Sequence, residues 1–117
     1  MKIIRILAIL VAFALPAAAQ RSGLYDVSGT NPDASLYSGT LLLTQVGGSS
    51  FRITWNVGGN TIEGVGMVSG QTLAVVFDLG ENRTAMGMYN LRPSGELSGI
   101  WTVIGSQATG TEVARPR

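Results

Sequence analysis

Phe51-Arg-Ile-Thr-Trp-Asn-Val-Gly-Gly-Asn-Thr-Ile-Glu-Gly-Val-Gly-Met-Val68 decides the reading of this chain. Phe51, Ile53, Trp55 and Val57 alternate with Arg52, Thr54 and Asn56, the period of a half-buried strand. Gly58-Gly59-Asn60 is a hairpin signal. Thr61 to Val68 returns as a second strand with glycines inside it.

Working outward, the same unit repeats. Before it, Leu24–Gly29 and Leu36–Thr44 alternate, separated by Thr30-Asn31-Pro32-Asp33-Ala34-Ser35. That run is a turn, because Pro presets φ while Asn and Asp bond nearby backbone. After it come a strand opening on Leu73, Val75 and Phe77, then Thr84–Leu91, Glu96–Ile104 and a short Gly110–Ala114. No stretch between them has a 3.6-residue apolar period. Eight short strands in succession predict an all-β antiparallel meander. Closing it into an up-and-down barrel of the avidin or lipocalin type removes the exposed edges. A β-sandwich is the alternative.

The N-terminus reads differently. Lys2 and Arg5 precede an apolar run, Ile6–Leu15, then Pro16 and Ala17-Ala18-Ala19. This is the layout of a cleaved secretory signal over residues 1–19. The run is shorter than the roughly 20 residues of a membrane-spanning helix. The expectation is a periplasmic or secreted barrel domain over residues 20–117, with no membrane span after cleavage.

Composition narrows the chemistry. The chain has no Cys and no His, so disulfides, thiol nucleophiles, His-based triads and the usual zinc or copper sites are absent. No cofactor or metal is expected. Beyond Lys2 every cation is an arginine, and a nearly neutral domain lacks the clustered positive charge that nucleic-acid binding needs. Glu63, Asp78, Glu81, Glu96 and Glu112 belong to no catalytic motif and read as solvated charges near the rims. The domain reads as non-enzymatic; a carboxylate hydrolase would need two acids converging in a cleft.

Side-chain parity sorts inside from outside. Tyr25, Tyr37, Phe51, Trp55, Phe77, Tyr89 and Trp101 each fall on the more apolar parity of their strand, with Gly39, Gly87 and Gly99 beside them. Alternating large and small residues fills a narrow barrel. Glu63 is ambiguous: it faces in if Val65 and Met67 do, and out if Ile62, Gly64, Gly66 and Val68 face in. Leu42, Val76, Met86, Met88, Ile100 and Ile104 fall on the outer parity. Val76, Met86, Met88 and Ile100 form an apolar wall expected to support self-association.

Two functions follow. The first is a binding module acting through its outer wall or loop rim on a protein or surface polymer, with Asn31, Asp33, Asn60, Arg83 and Arg92 as rim contacts. The alternative is a carrier of an apolar small molecule, lined by Tyr37, Trp55, Glu63, Tyr89 and Trp101. A dry interior argues against the carrier, and a cavity of several hundred Å³ argues for it.

Gly23-x-Tyr25-x-Val27-x-Gly29-x-Asn31-Pro32-Asp33, Tyr37-x-Gly39, Phe51-x-Ile53-x-Trp55, Gly64-Val65-Gly66, Leu97-x-Gly99-x-Trp101 and Gly110-Thr111-Glu112 form a signature across the expected domain. It resembles small exported bacterial proteins often labelled fibronectin-binding. The resemblance implies an exported β-barrel-like domain and transfers no binding residue. The family pattern has Gly after Asn-Pro-Asp, where this chain has Ala34.

Overall fold

The computed structural model describes residues 22–117, and the expected signal at residues 1–19 lies outside them. Eight strands follow in order: β1 Gly23–Thr30, β2 Leu36–Gln45, β3 Ser50–Val57, β4 Asn60–Ser69, β5 Thr72–Gly80, β6 Arg83–Leu91, β7 Leu97–Val103 and β8 Gly110–Pro116. Each pairs antiparallel with the next, and β1 pairs with β8. The sheet is therefore a closed barrel, not a sandwich. Closure leaves no edge strand to pair with another chain.

The turns carry the sequence's turn chemistry. Gly58 and Gly59 both take positive φ, 57° and 81°. This is the conformation of a two-residue hairpin whose twist matches its strands. In the 31–35 turn, Asp33 accepts from the Ser35 amide and hydroxyl, and Asn31 Nδ2 donates to Ser35 Oγ at 3.0 Å. Ala34 sits at φ 74°, where an L-residue with a Cβ is disfavoured by about 1 kcal/mol.

Parity is as the alternation predicts. Tyr25, Phe51, Trp55, Phe77 and Tyr89 are buried with Val27, Leu41, Leu43, Ile53, Leu73, Val75 and Leu97. Tyr37 and Trp101 are half-buried and pack against that core. In β4 the inward residues are Ile62, Gly64, Gly66 and Val68, so Val65, Met67 and Glu63 are exposed. Glu63 therefore belongs to the outside and is removed from the interior set. It pairs laterally with Thr54 and Asp78.

The strand ends define two mouths. The connections after β1, β3, β5 and β7 gather at one mouth, and those after β2, β4 and β6 at the other. Asn31, Asp33, Asn60 and Arg83 lie at the first mouth. Arg92 follows β6 and lies at the opposite mouth, so the five expected rim residues are not one surface. On the wall, Val65, Val76 and Met86 are register partners in line across β4, β5 and β6. Met67, Ala74, Met88 and Ile100 form a parallel line reaching β7. The large residues in these lines are about half exposed.

Candidate functional site

A buried acid lies inside the first mouth. On β8, Gly110, Glu112 and Ala114 face inward, and Glu112 is only 5% exposed. The expectation of a solvated rim charge fails here. Glu112 shares its inward parity with Gly110 and Ala114, and closure of β8 onto β1 and β7 shuts it from solvent.

Its surroundings follow from the register. Glu112 stands opposite Gly29 on β1 and opposite Gly99 on β7. Gly29 in turn stands opposite Tyr37, and Gly99 opposite Tyr89. One layer of the barrel thus reads Tyr89, Gly99, Glu112, Gly29, Tyr37 across five adjacent strands. Gly29 leaves room for Tyr37 to lean over it toward the carboxylate, and Gly99 lets the backbone of β6 come close. A Cβ at Gly29 would lie 2.6 Å from Cζ and the hydroxyl of Tyr37, so any other residue would push that ring away.

Three donors converge on the carboxylate. Tyr37 donates its hydroxyl to Oε1 at 2.7 Å. Trp55 Nε1, from β3, donates to Oε2 at 3.0 Å. The Tyr89 hydroxyl also donates to Oε2. Among the described residues the ion pairs are Arg115–Glu96 and Arg117–Asp26, both on the outside. Glu112 thus has neutral donors and no cation partner.

Burial, and then the charge of Glu112, push the hydroxyls of Tyr37 and Tyr89 well above the ordinary tyrosine value of 10.0. Both remain donors wherever the barrel is folded near neutrality. In the unfolded chain the same hydroxyls ionise near pH 10. A folded value above the unfolded one stabilises fully below that pH, and the contribution is lost as pH rises through it. The urea midpoint should therefore fall from about pH 10 upward, and fall less steeply in Tyr89→Phe. A midpoint that stays level across that rise would contradict the assignment.

Above the acid the barrel is not filled. A cavity of about 80 Å³ opens toward the first mouth. Its walls are Tyr37, Trp55, Phe77 and Trp101, with Tyr89 and Glu112 below and Asn31, Val57, Ile62 and Leu79 near the lip. The rings touch in sequence: Tyr37 meets Trp101 edge-on at 6.2 Å, Trp101 meets Phe77 at 5.8 Å, and Phe77 meets Trp55 at 4.9 Å. Trp101 Nε1 is buried and, among the described residues, has no hydrogen-bond partner. Such a group is a site where water or a ligand completes the bonding.

The structure thus brings together Tyr37, Trp55, Tyr89 and Trp101 and adds Phe77 and Glu112. Of the rim residues, Asn31 reaches the cavity lip, while Asp33 is engaged within its own turn. Glu63 lies in an exposed hollow outside the barrel with Asp78 and Glu81. The cavity is far smaller than several hundred Å³, and the opposite half of the barrel is filled by Leu43, Phe51, Leu73 and Leu97.

No family model and no curated protein matches the chain. Solved structures do. A redesigned β-barrel, mFAP1, bound to DFHBI, is similar with a TM-score of 0.67 at 20% identity, covering 87% of this chain and 99% of that one. A second redesigned barrel, mFAP0, also bound to DFHBI, gives 0.65 at 20% identity, over 82% and 98%. A mutant of the fluorescent protein UnaG gives 0.53 at 11% identity, over 84% and 96%. At these identities the likeness is one of fold, a β-barrel, which in this chain is closed by eight strands.

Proposed function

We propose that this chain is an exported, non-enzymatic barrel that binds a small molecule in the cavity above Glu112. The observation that carries this is an open pocket lined by a buried donor without an acceptor, in a barrel otherwise filled. Trp101 Nε1 has no acceptor among the described residues, and a buried donor left so costs about 1–3 kcal/mol. A ligand that supplies an acceptor removes that cost. The redesigned barrels similar to it are bound to DFHBI, which supports small-molecule binding by this architecture. Export is supported by the Ile6–Leu15 run and the Ala17-Ala18-Ala19 site.

The volume limits the ligand. About 80 Å³ holds a group of a few heavy atoms, well below the 300 Å³ or more of a pocket for a drug-sized molecule. Either the ligand is small, or its polar head enters and the rest passes Val57, Ile62 and Leu79. Native mass spectrometry of the mature protein from its own envelope tests this. The expected result is an added mass per chain whose removal shifts the emission of Trp55 and Trp101. A bare mass, with an emission that no member of a small-molecule library moves, would reject interior binding.

The wall of Val65, Met67, Val76, Met86, Met88 and Ile100 favours a second reading, contact through the outer surface. An uncharged patch spanning four strands is the composition of an interface core. On this reading Met86→Asp combined with Met88→Asp should convert an oligomer to monomer by sedimentation. An unchanged mass would remove the wall from consideration.

A further inference from the structure

Resting on that interior site, the chemistry of the cavity points to its ligand: we infer that it is a small organic cation, a protonated amine whose N–H lies on Glu112 and whose carbon skeleton lies against Trp55, Phe77 and Trp101. A carboxylate has about four acceptor positions. Trp55 and Tyr89 occupy both on Oε2, and Tyr37 takes one on Oε1. One position on Oε1 remains beside the cavity that Glu112 lines.

The charge is what the neutral donors leave unanswered. Among the described residues lining the cavity, Glu112 is the one carboxylate, and neither a lysine nor an arginine stands with it. Neither ion pair among the described residues involves it. A charge in a water-poor site interacts strongly with whatever enters, so an anion is repelled and a cation held. Any ring face turned to the cavity acts in the same direction, because its negative quadrupole attracts ammonium groups. Tyr37, Trp55, Phe77 and Trp101 form the wall of such a cage. The orphaned Trp101 N–H would take a water or a hydroxyl of the ligand.

Three probes of one size and different charge test this: butylammonium, 1-butanol and butyrate. The readout is the pair of indole N–H resonances, since the chain has two tryptophans and both line the cavity. Butylammonium should shift both and bind at least about tenfold more tightly than 1-butanol, with butyrate weakest. In Glu112→Gln the preference for the ammonium should vanish. If that variant does not fold, the three probes on the unaltered protein still decide. Equal or tighter binding of 1-butanol or butyrate overturns the cation while leaving interior binding intact. Indole signals that none of the three moves also overturn it, and interior binding then stands or falls on the native mass.

Discussion

Trp55→Ala should lower the free energy of unfolding by about 3–5 kcal/mol, the cost of truncating a buried tryptophan. Trp55 is 4% exposed, packs on Phe77 with ring centroids 4.9 Å apart, and donates to Glu112. Alanine removes the ring contact and one donor to a buried carboxylate together. Domains of this kind are stable by about 5–15 kcal/mol, so the variant should melt under mild urea. Trp101→Ala should cost less, because that ring is half-buried and its N–H has no partner to lose among the described residues. Urea curves for both variants check the order. Equal costs, or a Trp55→Ala midpoint close to the parent's, would mean that the cavity wall is not part of the core.

Glu112→Ala carries the second large effect. It leaves Tyr37, Trp55 and Tyr89 without their acceptor, and each stranded donor costs about 1–3 kcal/mol. Against this stands relief from burying a charge that has no cation beside it. Tyr37 keeps part of its bonding through the Thr111 carbonyl at 3.2 Å. The net expectation is a loss of about 3 kcal/mol. A double-mutant cycle separates the terms. In a Tyr89→Phe background one donor is already gone, so Glu112→Ala should cost at least about 1 kcal/mol less. Additive effects would show that Tyr89 and Glu112 do not depend on each other.

Much of the barrel is legible along the chain. Alternation in Phe51–Val57 and its relatives sets the inward face, and the aromatics lie on it. The turn residues set strand order, because tight hairpins leave successive strands no option but to pair. Glu63 was not legible. Ile62, Gly64, Gly66 and Val68 on one parity and Val65 and Met67 on the other are nearly balanced in apolarity. The choice came from β3 and β5, whose large side chains Trp55, Phe77, Leu73 and Val75 crowd over Gly64 and Gly66.

Glu112 shows where a strand-by-strand reading stops. Its facing was not legible, because Val113 on the opposite parity is at least as apolar as Gly110 and Ala114 on its own. Its partners were not, since Tyr37, Trp55 and Tyr89 lie 75, 57 and 23 residues away. Within a strand, glycine beside an aromatic looks like simple filling. Across strands, Gly29 is the gap over which Tyr37 reaches the acid, and Gly99 stands between Glu112 and Tyr89 in the register. The sequence by itself determined the inward face of the strands that carry an aromatic residue, because alternation and turn chemistry act over a few neighbouring residues. The closed register decided that three of those residues meet on a buried charge beneath an open cavity. That meeting depends on β8 pairing with β1, a contact between the two ends of the barrel domain that no local pattern encodes.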